Sequence, residues 1–582
     1  MQTVENRRRA IGIYSGAVLA CVVLLAGVLQ LWHMDVRVPL RSLGDDTLFH
    51  TMLVKGLVEN GWPLRNPLLG APGTSELYDF PEASNLDLGL MKLVALASKD
   101  YATVLNTFFL LTFPLTVVTS LYALRQLRIS YPSAIVGSLL YSFLPYHFLR
   151  GESHLFLAAY YVAPLIVVVA VWILRPDGGP KHERFGWPAA KVAAGIGIAL
   201  AVASSFIYYA VFGAFIIAIA GLLAVRLQDR RVRRARMTLA ACLAGLIAFT
   251  YLLNVSPSLL YIVQHGRNRV MSVRDPAEAQ IYGLKIATLF LPIAHHRVHL
   301  LASIRARYDE GAPLTNENGM ASLGAVGAIG FLLLLTNLTL GIPEGQDKAM
   351  LHNLASLNLA CVLLGTLGGL GTLASHVLPL LRSYNRISIF IGFFSLAAVM
   401  MVLDRLSAWL RERRGGWVVY PVLATLVLAG VWDQTSPSYV PDYAALRAVD
   451  ASDAAFVGRL EASSPLHAMI FQLPYMQFPE PLGDFPPTLE TYTHLRGYLH
   501  SRTLRWSYGA MKGRAVDAWQ KTVASQPMGE LVAAVRAAGF SGIYVDRNGY
   551  ADGGRTVMAA LSEALRTTPL VSPNGRLVYF PL

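Results

Sequence analysis

Residues 7–50 read RRRAIGIYSGAVLACVVLLAGVLQLWHMDVRVPLRSLGDDTLFH. Three arginines precede an apolar run over 11–33, and hydrocarbon ~30 Å thick is crossed by about 20 such residues in a helix. The charged front is that of a signal peptide. The run is too long for one and has no small-residue cleavage site, so it reads as a retained anchor. Runs of this kind recur as far as Trp432. We read about eleven spans, at 11–33, 102–124, 131–149, 155–174, 189–204, 206–225, 237–263, 321–340, 352–373, 387–404 and 417–432. Of the 582 residues, 54% are hydrophobic and 15% charged, with mean hydropathy +0.46, against ~25% charge in soluble domains. A soluble enzyme, a disordered chain and a repeat solenoid are excluded. The chain reads as a polytopic α-helical membrane protein.

The net charge of +13 marks topology rather than nucleic acid, because Lys and Arg gather in cytoplasmic loops. With the N-terminus inside, the inner loops hold Arg125 and Arg128; Arg175, Lys181 and Arg184; the run Arg226–Arg236; and Arg405, Arg411, Arg413 and Arg414. Only the loop around Lys348 is lightly charged. The weakest boundary is Ser204-Ser205-Phe206. One long helix there would invert everything downstream, and the Arg226–Arg236 run favours two crossings. Residues 34–101, 264–320 and 433–582 then lie outside. We divide the chain into a membrane core, 1–432, and an extracytoplasmic α/β domain, 433–582. In the latter we expect strands at His467–Leu473 and Gly542–Val545, helices at Gly529–Ala538 and Thr556–Arg566, and a hairpin at Pro573-Asn574-Gly575. Cys21, Cys242 and Cys361 fall inside apolar spans and offer neither a disulfide framework nor zinc spacing.

The first outer segment opens with Gly44-Asp45-Asp46-Thr47-Leu48-Phe49-His50. Leu48, Phe49, Met52, Leu53 and Leu57 predict an amphipathic helix lying on the membrane surface, with the two aspartates at its start. Asp is a favoured cap at that position, but one suffices. Two adjacent carboxylates repel, and near a low-dielectric boundary at least one holds its proton more tightly unless a cation offsets the charge. That suits a general base for a hydroxyl.

This layout resembles the GT-C superfamily of integral-membrane glycosyltransferases: a short inner N-terminus, one span, a long first outer loop with an acidic pair near its start, many further spans and an outer C-terminal domain. Within it the nearest impression is the bacterial YfhO-like branch. The resemblance implies a polyprenyl-phosphate-linked sugar donor and an inverting transfer. It makes Asp45 or Asp46 the catalytic base, and places the protein in a bacterial inner membrane with its chemistry on the periplasmic side.

Other residues collect at the outer boundary. In the first loop, Glu76 and Tyr78, with Asp79 and Glu82 nearby and His50 upstream, combine carboxylates with aromatic faces as carbohydrate sites do, and as ordinary structured loops do. Pro145–His154 concentrates His147, Arg150, Glu152 and His154, costly near lipid and often turned to a functional cavity. Arg150 suits a phosphate through its planar fork. His147 and His154 suit phosphate, or a divalent ion shared with Asp45 or Asp46; a salt-bridged turn is the plain alternative. Ile281, Leu284, Lys285, Thr288 and Leu289 predict a second interfacial helix, with Lys285 at phosphate depth. Among His295, His296, Arg297 and His299, phosphate contact by His296 or Arg297 is favoured over zinc. Glu317 is a candidate second acid, with helix capping by Asn316 or Asn318 beside it. Arg382 and Arg386 flank Tyr384 and Asn385 and suit a pyrophosphate, or outer-leaflet headgroups. Arg496, Arg502, Arg505, Trp506, Tyr508, Lys512 and Arg514 either meet an acidic glycan or cover the membrane core. Gly365–Gly371 reads as close helix packing.

No phosphate-cradling Gly-rich loop is present, so activation arrives with a lipid-borne donor or a gradient. The leading expectation is transfer of a sugar from a polyprenyl-phosphate donor to a glycan or lipid acceptor, some of Arg150, His154, Lys285, Arg297, Arg382 and Arg386 neutralising the departing phosphate. A divalent cation (Mg or Mn) at Asp45 and Asp46 is permitted. The bilayer is the protein's medium, and no nucleic-acid partner is expected. The alternatives are a transporter or flippase for lipid-linked saccharides, which calls for ionisable residues within spans and two related halves, and a non-catalytic assembly protein.

Overall fold

A computed structural model describes residues 2–582 except 41–44, 176–186, 228, 272–274, 341–347, 378, 380, 415 and 482–488, and leaves out the side chains of 2–4, 45, 348, 414 and 416. Lys181, Arg184, Arg41–Gly44 and the carboxylate of Asp45 thus lie outside the described set, as do Arg274 and the side chains of Lys348 and Arg414.

Among the described residues, six helical segments are long and apolar enough to cross a membrane: Glu5–Leu29, Tyr101–Gln126, Glu152–Leu174, Ile207–Arg226, Arg230–Asn254 and Tyr384–Arg413. Shorter apolar helices run at Ala189–Ala203, Gly324–Thr339, Ala349–Gly365 and Val419–Gln434, and at Tyr131–Ser142. Ala163–Leu174 is apolar all round and buried along nearly its whole length, as a helix without a polar face must be.

Where sequence spans and helices differ, a backbone residue explains it. The 131–149 run stops at Ser142, because Pro145 opens a separate helix, Pro145–Arg150, and disfavours helical geometry before it. The 237–263 run breaks at Val255, with Pro257 in the first turn of Ser256–His265. The 352–373 run ends at Gly365; Thr366 bridges to Leu284, and helix resumes at Leu370–Val377. A Cβ on Gly369 would sit 2.2 Å from the Leu363 carbonyl. Gly369 therefore permits a tight chain reversal, while a Cβ on Gly365 would sit 2.6 Å from Ile387 and one on Gly371 2.7 Å from the Tyr384 ring, the close packing read from the sequence. Residues 189–225 form two helices. The Leu86 N–H donates to the Ser204 carbonyl at 2.7 Å, and Asn254 Nδ2 donates to the Ala203 carbonyl at 3.0 Å and Ser204 Oγ at 3.1 Å.

The helix Asp45–Glu59 is present, but its apolar face is covered by protein rather than laid on the bilayer. Leu48, Phe49, Met52, Leu53 and Leu57 are all buried, and Phe49 meets the rings of Phe80, Phe478 and Tyr492. Each such side chain contributes ~1.5–3 kcal/mol on burial, so the cover fixes this helix firmly.

Two short strands, β1 (Arg65–Asn66) and β2 (Ser75–Glu76), pair in the first loop. The C-terminal residues build a five-stranded sheet from β3 (Met469–Leu473), β4 (Arg505–Trp506), β5 (Phe540–Asp546), β6 (Leu570–Val571) and β7 (Leu577–Pro581). Its order is β4-β3-β5-β7-β6. The first two pairings are parallel and the last two antiparallel. The helices Met528–Ala537 and Arg555–Leu565 and the β6–β7 hairpin fall where the sequence placed them. The sheet does not end at β4. Leu69 bridges to Trp506, Gln520 Nε2 donates to the Ala71 carbonyl at 2.7 Å, and Arg514 holds Asp79 through two 2.7 Å bonds. Trp506 is fully buried. The basic and aromatic stretch therefore clasps the first loop.

Candidate active site

Four stretches converge: the start of the helix Asp45–Glu59, the turn Arg150–His154, the 3-10 turn Asn316–Ala321, and the 3-10 turn Tyr384–Ile387. Glu317 is their hub. Arg150 Nη2 donates to its Oε2 at 2.6 Å. Arg386 donates to both oxygens, Nη2 to Oε1 at 2.9 Å and Nε to Oε2 at 3.1 Å. Arg150 is 1% and Arg386 5% exposed. Their guanidinium carbons stand over the rings of Tyr146 (5.0 Å) and Tyr208 (4.4 Å). Burial alone would raise the Glu317 carboxyl, but Arg386 and then Arg150 hold it well below the usual carboxylate range. Glu317 thus faces two guanidiniums, with the carboxylates of Asp46 and Glu152 on the neighbouring segments. Nε and Nη1 of Arg150 are buried with no hydrogen-bond partner among the described residues.

Local backbone chemistry sets this geometry. Gly151, at φ 50°, ends Pro145–Arg150 so that the chain can turn under Arg150. Glu152 Oε2 accepts the Leu40 N–H at 2.9 Å, fastening the strap after the first helix to the same turn. Asn318, next to Glu317, accepts the Lys285 N–H at 2.9 Å and donates to the Gly283 carbonyl at 3.0 Å.

Asp46, the second residue of its helix, points Oδ2 at His154 Nε2, 3.5 Å away. The Asp46 carbonyl pairs with His50 Nδ1 at 2.8 Å. Burial pushes His50 down to about 4, the Asp46 carbonyl opposing it, so this imidazole is neutral at pH 7. His154 lies within electrostatic reach of Arg150, Arg386, Glu317 and His50. The site thus sets a carboxylate and an imidazole beside a fixed pair of arginines, a proton acceptor next to an anion-holding pair.

The structure gathers Asp46, His50, Arg150, Glu152, His154, Glu317 and Arg386, and it disperses the other candidates. Glu76 accepts from Tyr261 at 3.1 Å, and Tyr78 stacks on Tyr261 at 4.8 Å, packing the first loop on the helix Ser256–His265. Lys285 belongs to the strap paired with Thr366, and the predicted helix over 281–289 is replaced by a helical turn Glu278–Ile281 and a 3-10 turn Ile286–Leu289. His296 sits 3.4 Å from Asp433, and Arg297 donates to the Trp432 carbonyl at 2.7 Å and to that of Thr435, closing the end of Val419–Gln434. Arg382 lies 3.9 Å from Glu278. His147 is fully buried, with Thr112 and the Ser142 carbonyl on its nitrogens and its ring stacked 3.6 Å from Phe113: a core histidine, not a phosphate or metal ligand. Among the described residues no group of three or more His, Cys, Asp or Glu could hold a metal ion. The sequence reading missed Tyr208, whose signal was the Tyr208-Tyr209 pair at the start of an apolar helix, and whose hydroxyl accepts the Ser383 N–H at 3.2 Å.

A cavity of about 720 Å³ adjoins the site. Gly151, Leu40 and Phe148 line it from the membrane side, and Tyr439, Arg496 and Arg576 from the C-terminal side.

Together, the helical scaffold and its loops share their fold with solved structures of membrane proteins. In particular, the chain is similar to ArnT from Cupriavidus metallidurans bound to undecaprenyl phosphate, at 10% identity over 97% of each chain with TM-score 0.53. Apo ArnT gives 10% identity over 96% of this chain and 97% of that one, with TM-score 0.50. The Archaeoglobus fulgidus oligosaccharyltransferase tethered with an acceptor peptide gives 11% identity over 98% and 74%, with TM-score 0.48. No family model and no curated protein matches the sequence. At such identity the likeness concerns the fold and leaves the chemistry to the residues.

Proposed function

We propose that the protein is a membrane glycosyltransferase. It moves a sugar from a polyprenyl-phosphate-linked donor to a hydroxyl of a glycan or lipid acceptor on the outer face of a bacterial inner membrane. The observation that carries this reading is the juxtaposition of Asp46 and His154 with two buried arginines held on Glu317. Arg150 offers Nε and Nη1, which have no partner among the described residues, to the donor phosphate, and Arg386 adds charge to the same place. Asp46 takes the proton of the acceptor hydroxyl. The acceptor oxygen bonds to the anomeric carbon as the carbon–oxygen bond to phosphate breaks, and the lipid phosphate leaves with the electron pair. A single displacement inverts the anomeric carbon. Charge fixed in advance where the leaving group develops it is the cheapest form of stabilisation. Asp45 precedes the proposed base, and with Asp46 would hold a divalent cation if one is used. The inside N-terminus, the eleven crossings and an outer domain over 433–582 complete the reading.

The test is turnover in membranes with a panel of polyprenyl-phosphate sugars, comparing wild type with Asp45→Asn and Asp46→Asn, each with and without chelator. Loss of ~10²-fold or more in Asp46→Asn with normal expression is expected. Full activity in both variants, or no turnover of any donor, would move the weight to transport or assembly.

A further inference from the structure

A second charged cavity, of about 640 Å³, opens on the opposite end of the same helices. Three arginines from three segments line it: Arg9 at the start of the first helix, Arg125 at the end of Tyr101–Gln126, and Arg411 near the end of Ser388–Arg414. Arg386 and Arg411 stand near opposite ends of one helical run, Tyr384–Arg413, whose 30 residues extend ~45 Å at 1.5 Å per residue. The cavity and the candidate active site are therefore on opposite faces of the membrane.

The lining has two halves. Towards the helix ends stand the arginines with Tyr131 and Tyr420, aromatic residues of the type that sits at headgroup level. Deeper along the helices the wall is Ile13, Ile135, Leu423 and Val427. Arg125 lies 4.1 Å over the Tyr131 ring and bonds the Ile129 carbonyl. No carboxylate is among the cavity's described lining residues. The nearby Asp404 is taken up by the Ser130 N–H at 3.1 Å and by the Ser130 and Ser133 hydroxyls. Three positive charges on three helices face one space whose apolar wall runs along those helices, a lining complementary to an anion that carries apolar chains.

We propose that this cavity binds an anionic phospholipid of the leaflet opposite the active site, its phosphate among Arg9, Arg125 and Arg411 and its chains against Ile13 and Leu423. Basic pockets between membrane helices hold anionic headgroups in this way. A zwitterionic lipid carries the same phosphate, but its ammonium meets the arginines. The inference does not rest on the glycosyltransferase reading.

The experiment is native mass spectrometry of the purified full chain with phosphatidylglycerol or phosphatidylcholine of equal chain length. It is repeated for Arg9→Gln, Arg125→Gln and Arg411→Gln, and for the control Arg230→Gln/Arg231→Gln/Arg233→Gln on the same face outside the cavity. Phosphatidylglycerol should be retained at least tenfold better than phosphatidylcholine. Each cavity substitution should lower its retention ~5-fold, the factor one arginine near a headgroup supplies, and the control should leave it unchanged. Equal retention of the two lipids overturns the proposal, as does equal loss in the control. Displacement by inorganic phosphate at matched concentration overturns it too, by reducing the cavity to an anion site without lipid. The wild-type comparison needs no variant, so a substitution that fails to fold does not remove the test.

Discussion

Replacing Glu317 by Gln isolates the hub of the candidate site. Three bonds, at 2.6, 2.9 and 3.1 Å, tie this carboxylate to guanidiniums on two separate segments. The partners' side chains are 1% and 6% exposed, and Glu317's own is 15% exposed. Taking one member from a buried ion pair costs ~3–5 kcal/mol, mostly because the remaining charge is left without compensation. Here two arginines lose the anion they share, so Glu317→Gln should fall in the upper part of that range. Since Gln keeps the volume, the loss reports charge rather than packing. The variant Arg150→Met/Glu317→Gln/Arg386→Met removes the stranded charges and should regain most of the stability, while losing transfer. The measurement is equilibrium unfolding in mixed micelles over a pH series. The folded carboxyl is held low, so its contribution is present above the unfolded value of ~4.3 and is lost as the pH falls below it; the gap between wild type and variant should close there. Unfolding of Glu317→Gln within ~0.5 kcal/mol of wild type at pH 7, the range of an ordinary surface substitution, would refute the buried-hub argument.

Three further outcomes are expected. Asp46→Asn should lower sugar transfer by ~10²-fold or more without altering unfolding, read by product formation at saturating donor. Asp87 is fully buried, with Tyr161 donating to it at 2.6 Å; burial pushes its carboxyl up to about 8, against that bond and with help from Glu82. The folded state therefore binds this proton more tightly, so stability is full below the ordinary value of 3.8 and declines as the pH rises towards 8; Asp87→Asn should lack that decline in a thermal-unfolding series. Arg514→Ala leaves Asp79, 3% exposed, without its guanidinium, and should cost ~1.5–3 kcal/mol and expose residues 66–79 to limited proteolysis.

Much of this was legible in the residues. Apolar run length pointed to each of the six described helices long and apolar enough to cross a membrane, and the Gly539 and Pro573-Asn574-Gly575 signals pointed to the C-terminal helix ends and hairpin. Breaks inside runs were less legible: Pro145 and Pro257 marked two of them, but the reversal at Gly365–Gly369 depends on Leu284 arriving from about 80 residues earlier to pair with Thr366. Candidate residues sorted by the same rule. Arg150, His154 and Asp46 stand near chain turns, and the fold brings them together. His147, three residues from Arg150, is instead held by Thr112 and the Ser142 carbonyl and stacked on Phe113. Residue type could not separate Arg386, which shares Glu317, from Arg382, four positions back on Glu278. The apolar stripe of Asp45–Glu59 told correctly that it is buried, but not that protein rather than lipid buries it.

The clasp between the first loop and the C-terminal sheet bears on how the chain is made. Asn66 pairs with Tyr498, and Ala71 with Gln520, 432 and 449 residues later. At ~5–20 residues per second of synthesis, the loop waits roughly 20–90 s for its cover. Throughout that interval Leu69 and the Phe49 ring lack the C-terminal partners, Trp506, Phe478 and Tyr492, that complete their cover. Biogenesis therefore requires something to shield this loop as the ribosome completes the rest, and a chain truncated before Trp506 should be recognised as unfinished however well its helices have inserted.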